Sequence, residues 1–211
     1  ENITNHLLHV ANVSFFLAPY SSTLTLPAAK LINDAGKVMV APCAASVSIF
    51  EDRPYIFGTL TPSSRFLEVA FKELSSRATS VGYVYEDVAG TREFCDQVVP
   101  LASKYNMSVV FGDNTSEALP DDAAYQVVLD RMTRLAAAGP DVLIGCVYDN
   151  VCSRIMQAIQ TLGFNPKAIV FTICVGKDEF VTNVGDSGLY VLGITPWKDT
   201  MALQSDQTGL T

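Results

Sequence analysis

Short apolar runs, rich in β-branched and aromatic residues, recur at residues 14–18, 37–41, 81–85, 108–111, 142–146 and 168–173, and longer segments of helical periodicity separate most of them. Runs of this length and composition predict buried strands of a parallel sheet. Strands that alternate with helices build right-handed βαβ units, so the expected fold class is α/β with doubly wound parallel sheets. Such sheets take their ligands at the loops leaving the carboxyl ends of the strands, which is where function is to be sought.

The same pattern divides the chain. Residues 2–10 predict a short helix and 15–18 a strand; the loop Pro19-Tyr20-Ser21-Ser22-Thr23 then feeds a helix running to about Asp34 and stopped by Gly36. Residues 38–41 form the next expected strand, with Pro42-Cys43-Ala44-Ala45-Ser46 leaving its carboxyl end, and 55–58 a further short one. Pro62, Ser63 and Ser64 stand ahead of the helical pattern Phe66, Val69, Ala70, Leu74 and mark a crossing into a second lobe. Beyond it, strands at 81–85, 108–111, 142–146, 168–173 and 189–194 alternate with helices at 91–104, 121–138, 151–162 and about 178–182, which predicts a parallel five-stranded sheet. The expected partition is an incomplete first lobe at 1–60, a second lobe at 61–195, and a polar, aperiodic stretch at 196–211 that crosses back or dangles.

Composition bounds the function. With 211 residues, 49% hydrophobic and 17% charged, the chain can bury a full core. Its apolar stretches fall short of the roughly 18 residues that span a bilayer. A net charge of −8, with 14 scattered Lys and Arg, argues against nucleic acid and anionic lipid as partners; membrane attachment is expected only through segments outside this chain. Residues 1–9 lack the basic, apolar start of a signal peptide, and no Met initiates the chain, so it is expected to be part of something longer. Asn2, Asn12, Asn106 and Asn114 each begin an N-glycosylation acceptor triplet, which favours an extracellular or cell-surface setting; Asn12 is expected to be shielded by its strand and Asn114 to lie in a polar loop.

Chemistry-bearing motifs are mostly missing. The five cysteines, Cys43, Cys95, Cys146, Cys152 and Cys174, are too widely spaced for a disulfide framework; they read as buried thiols, or as one local bridge with the rest free. No zinc spacing, phosphate loop, dinucleotide loop or nucleophile elbow occurs, so no metal and no cofactor is expected. The histidines, His6 and His9, share the first helix without an acid, leaving a Ser-His-Asp triad no base and predicting a non-enzyme. Glu86-Asp87 leaves a strand at the ligand edge, where it is either a solvated turn or a contact for a cationic group. Asp121-Asp122 and Asp149 are expected to cap helices.

The loops instead offer a binding surface. Ser21, Ser22 and Thr23 open a helix, where hydroxyls and free backbone amides either hold an anion or simply cap. Tyr148 passes from a strand directly into a helix, where its ring either covers a ligand or packs in the core.

At these residues the chain resembles the type 1 periplasmic binding protein superfamily, which includes the leucine/isoleucine/valine-binding proteins and the ectodomains of natriuretic-peptide-type and class C G-protein-coupled receptors. Four stretches carry the resemblance: Phe16 to Ser22 and on through Pro27-Ala28; Val38 to Ser46; Asp141 to Tyr148 and on to Gly163-Phe164; and Val184-Gly185-Asp186 through Gly193-Ile194. The resemblance implies two lobes closing on a small molecule, amino-acid-like or another small carboxylate, with the opening elements of the first lobe lying outside this chain. It implies that Tyr20, Ser21, Ser22, Cys43, Ala44, Ala45 and Ser46 hold the ligand's carboxylate side, and that Tyr148 and Cys174 meet it from the second lobe. Where the amino-acid binders present an acid to the ligand's ammonium, near Ile173-Cys174, this chain has none, and Val88-Ala89-Gly90 is equally bare. The leading expectation is the ligand-binding domain of a cell-surface receptor that signals by lobe closure. The alternatives are a solute-binding protein of a transport system and a ligand-free module that dimerises through its first lobe.

Overall fold

The computed structural model describes residues 2–115 and 121–195. After an opening helix, α1 (Asn2–His9), the chain lays down β1 (Phe15–Leu17), α2 (Ser22–Asp34), β2 (Val38–Ala41) and β3 (Ile56–Gly58). These strands make a three-stranded parallel sheet in the order β1-β2-β3, with Phe16, Met39 and Ile56 in register. Strand side chains alternate between faces, so this row points one way and packs on Ala28, Ala29 and Ile32 of α2 and Leu8 of α1. The opposite row, Phe15, Leu17 and Phe57, is exposed.

The second sheet follows α3 (Glu68–Leu74); its strands and the helices between them run β4 (Ser80–Tyr85), α4 (Ala89–Cys95), α5 (Val98–Lys104), β5 (Ser108–Asn114), α6 (Asp121–Ala138), β6 (Val142–Cys146), α7 (Asp149–Leu162), β7 (Ala168–Phe171), α8 (Asp178–Val184) and β8 (Leu192–Gly193). Its order is β5-β4-β6-β7-β8, parallel throughout. β6 is buried at every position: Val142, Ile144 and Cys146 join the core on one face and Leu143 that on the other. The chain turns outward in opposite directions from β4, to β5 on one side and to β6 on the other. The crevice is therefore expected where β4 and β6 end.

Several expectations change. The helix expected over 91–104 breaks at Asp96-Gln97. Pro100 has no amide to bond the Asp96 carbonyl, and its ring would strike that carbonyl in a continuous helix; in the first turn of α5 it is tolerated. The last strand covers two residues rather than six, because Tyr190 takes a left-handed φ of 68°, outside strand geometry. β5 extends to Asn114, so this asparagine is a half-buried strand end and not part of a loop. Asn12 and Asn106 are both exposed, which corrects the expected shielding of Asn12. The side chains of Asn2, Asp121 and Asp122, and the whole stretch 196–211, lie outside the described residues.

Four of the five cysteines are paired, contrary to the expectation of at most one bridge. Cys95–Cys146 ties α4 to β6 with Cα atoms 5.9 Å apart, and Cys152–Cys174 ties α7 to the turn after β7 at 6.6 Å. The partners stand 51 and 22 residues apart in the chain. Sheet order brings them together, and linear spacing carries no trace of that. Cys43 is free and exposed. No helix among the described residues is long and apolar enough to cross a membrane.

Candidate functional site

The first wall of the site is built by two loops at the carboxyl ends of β1 and β2. Ser21 caps α2, its Oγ accepting from the Leu24 amide at 3.4 Å, while its own amide donates to the Cys43 carbonyl at 3.1 Å. Its backbone sits at φ 80°, ψ 148°, a region that is costly for any residue with a Cβ. Ser22, buried in the first helical turn, accepts from the Ser46 amide at 3.1 Å and keeps its hydroxyl hydrogen to give away. These bonds draw Ser21, Ser22 and Cys43 into one cluster at the amino terminus of α2, whose first amides have no carbonyl within the helix to bond.

The second wall comes from the other sheet. Tyr148 leaves β6 as the residue preceding α7, its amide donating to the Glu86 carboxylate at the end of β4. Burial first, then the charges of Tyr20 and Glu86, push the Tyr148 phenol above the usual tyrosine range, so it stays protonated and able to donate. Gly90, in the first turn of α4, permits the close approach of the walls. A Cβ built there would lie 3.2 Å from Ser22 Oγ and 3.7 Å from Tyr148 Oη.

Between the walls lies a cleft of about 300 Å³. Tyr20, Ser21, Ser22, Cys43 and Ala45 line its first side, and Gly90, Tyr148, Thr172, Ile173 and Lys177 its second. Leu60, Phe66, Phe94 and Ile194 make the rest of the lining largely apolar. This is the small end of the usual range for sites that enclose small molecules, roughly 300–1,000 Å³.

Lys177 is the cation of the site. Its Nζ stands 2.6 Å from Asp149 Oδ2 and 5.5 Å from the centre of the Tyr20 ring, so it reaches from the second wall to the first. Burial works against its charge, but the Asp149 hydrogen bond and the charges of Tyr20 and Asp149 outweigh it and hold the ammonium above the usual lysine value. Two buried oxygens, Oγ1 of the lining residue Thr172 and Oδ1 of Asp149, have no hydrogen-bond partner among the described residues. Such atoms are costly in isolation and are normally satisfied by water or a ligand.

Six of the nine expected contact residues, Tyr20, Ser21, Ser22, Cys43, Ala45 and Tyr148, line this cleft. The other three lie elsewhere. Ala44, 2% exposed, packs into the core of the first sheet, and Ser46, 1% exposed, turns its hydroxyl to Glu93 of α4 instead of the cleft. Cys174 is fully buried and spent in its disulfide. Glu86 accepts the Tyr148 amide; burial raises its carboxyl most, against which that hydrogen bond and the charge of Arg154 both act, and it does not line the cleft. Asp87 pairs with Arg92, and Asp149 sits in the first turn of α7, past the cap, as the partner of Lys177. His6 and His9 are exposed on α1. Sequence reading missed Lys177, Thr172, Phe66 and Phe94; only their position after strand ends could have marked the first two. Among the described residues no group of His, Cys, Asp and Glu could hold a metal ion.

The profile of the periplasmic binding protein family matches residues 1–208. Among solved structures, the branched-chain amino acid transporter substrate-binding protein LivJ of Streptococcus pneumoniae, in complex with isoleucine, superposes with a TM-score of 0.77 at 19% identity, over 97% of this chain and 57% of that one. A solute-binding protein of an ABC transporter from Rhodopseudomonas palustris BisB5, holding 3,4-dihydroxybenzoic acid, gives 0.75 at 18% identity, over 90% and 52%. One from Rhodopseudomonas palustris HaA2, holding p-hydroxybenzoic acid, gives 0.74 at 18% identity, over 90% and 51%. The chain thus spans about half the length of these proteins. The match over nearly its whole length, on two parallel sheets flanking a cleft, means that the chain belongs to the periplasmic binding protein family, with the type 1 fold.

Proposed function

We propose that this chain is part of an extracytoplasmic solute-binding protein that holds a small organic acid between its two sheets. The carrying observation is the set of donors at the cleft: its described lining contains Lys177, whose ammonium is paired with Asp149 behind it, and the amino terminus of α2 with Ser21 and Ser22, and none of the described lining residues is a carboxylate. A helix amino terminus and an ammonium both favour an anion. A lining of Leu60, Phe66, Phe94, Ile173 and Ile194 suits an apolar body, and none of the described lining residues offers an acid to an α-ammonium group. The ligand class is therefore a monocarboxylate with an aromatic or branched aliphatic body. Isoleucine and the hydroxybenzoic acids held by the similar proteins each carry a carboxyl group, which supports the reading.

The proposed action is binding without turnover, a reading supported by the described residues of the cleft lining, none of which is a histidine or carboxylate placed to act as a base. Two disulfides support an oxidising compartment. A second reading, the ectodomain of a cell-surface receptor that signals by closure, draws on the exposed acceptor asparagines Asn12 and Asn106. Both readings require lobes whose closed state binds ligand better than the open one.

A thermal-shift panel of 4-hydroxybenzoate, 3,4-dihydroxybenzoate, 4-methylpentanoate, isoleucine, glucose and adenosine tests the ligand class. An acid at 100 times its Kd adds about 2.7 kcal/mol, a rise of roughly 5–11 °C. A shift with the plain acids that exceeds the shift with isoleucine supports the reading. A shift only with glucose or adenosine, or none at all, contradicts it.

A further inference from the structure

Behind the cleft, a single carboxylate of the second sheet's layer is held by the first. Glu93, on α4 between the disulfide residue Cys95 and the cleft glycine Gly90, is half-buried. Its Oε1 accepts from Ser46 Oγ; its Oε2 accepts from the Val47 amide at 2.8 Å and from Ser63 Oγ at 2.7 Å. Ser46 and Val47 belong to the loop that follows β2, and Ser63 to the crossing between the sheets. Both serines are 1% exposed. The donors are fixed in turn: Ser46 Oγ meets Ser48 Oγ at 2.7 Å, the Ser63 amide donates to the Ala45 carbonyl at 2.8 Å, and the Ser46 amide donates to Ser22 Oγ. Hydrogen bonds to a carboxylate are among the stronger ones, and a hydroxyl or amide left buried without its acceptor is costly.

We propose that Glu93 is the latch between the lobes: a positioning residue that touches no ligand but, through Ser46, Val47 and Ser63, fixes α4 against the loop that carries Cys43 and Ala45 and so sets the width of the cleft. The placement supports this. The neighbouring Phe94 lines the cleft, and Gly90, one helical turn away, marks the closest approach of the two walls. Burial opposes the charge of Glu93, and its hydrogen bonds outweigh that and hold its carboxyl below the usual glutamate value. The inference rests on the two-lobed binding reading only for its purpose; the contact itself is independent of any ligand.

The test is therefore made without ligand, by amide hydrogen exchange on the whole chain. In the wild type the Val47 amide, which donates across the lobes, exchanges slowly. Glu93→Ala raises its rate at least tenfold while the Leu143 and Ile144 amides of β6 keep theirs. Glu93→Gln retains an acceptor of the same shape without the charge and gives a smaller rise. A Val47 amide that exchanges freely in the wild type, or one unaffected by Glu93→Ala, overturns the proposal. If Glu93→Ala also exposes the β6 amides, the isosteric Glu93→Gln decides: a selective rise at Val47 supports the latch, and either an unchanged Val47 or a global rise overturns it. A cleft that binds no acid leaves this result unaltered, so failure of the ligand reading and failure of the latch are separately visible.

Discussion

Removing the Cys152–Cys174 bridge perturbs the side of the cleft that carries Lys177. The bridge closes a loop of 22 residues and anchors the turn after β7 to α7, with Thr172 and Ile173 just before the anchored cysteine and Lys177 just after it. In the chain-entropy description, cross-linking at this separation removes about 11 cal/mol/K from the unfolded chain, about 3.4 kcal/mol at 25 °C. The Cys95–Cys146 bridge, at a separation of 51, corresponds to about 4.1 kcal/mol. A Cys152→Ala/Cys174→Ala double variant is therefore expected to lose about 3 kcal/mol in urea unfolding followed by circular dichroism. For a chain of this size that is a fall of roughly 6–12 °C in Tm. Thiol titration of the unfolded, unreduced protein from an oxidising host should find one reactive thiol, that of Cys43, and five after reduction. A loss under about 1 kcal/mol would refute the assigned role of the bridge, and five thiols before reduction would refute the pairing itself.

Two further outcomes follow from particular contacts. Gly90→Ala places a methyl group 3.2 Å from Ser22 Oγ, forcing the walls apart by a few tenths of an ångström. The helix preference of alanine, up to about 1 kcal/mol, offsets the strain, so Tm stays nearly constant while affinity for an acid identified by the thermal-shift panel falls about tenfold. Calorimetric titration reads this, and unchanged affinity would show that the walls do not meet at Gly90. Asp141 accepts from the Thr79 amide and hydroxyl at 2.8 and 3.0 Å and pairs with Lys167 at 2.9 Å, and these partners, the Thr79 amide foremost, hold its pKa at about 2. A carboxyl lowered on folding stabilises above its unfolded pKa and loses that contribution as pH falls through the folded one. Asp141→Asn should thus lower Tm at pH 7, with the gap to wild type closing between about pH 4 and pH 2; a gap constant across that range would refute the assignment.

The chain's alternation of strands and helices was legible because β6 is buried on both faces and leaves no polar residue in its run, and β7 beside it is equally apolar. The loops at β1, β2 and β6 were legible for the same reason, since strand ends are where such a sheet binds. The legibility stopped where meaning depends on a distant partner. Lys177 is a lone lysine in sequence, and only the placement of Asp149 on α7 and Tyr20 on the other lobe makes it the cation of the cleft. Glu93 carries no mark in the sequence, and only the fold brings Ser46 and Ser63 onto it. Pro100 is a local signal for the break between α4 and α5 that a helix expected over 91–104 leaves out of account. In Pro42 to Ser46 the residue types alone could not say which side chains face the cleft; the bond from the Ser46 amide to Ser22 turns Ser46 inward and leaves Cys43 and Ala45 on the wall.

The central claim is an acid site shared by both lobes, and isothermal titration of 4-hydroxybenzoate against the wild type, Ser22→Ala and Lys177→Met tests it most directly. One site per chain, with affinity falling at least tenfold in each variant, is the expected result. Binding of equal strength in all three, or no heat in the wild type from this or any other acid of the panel, would contradict it.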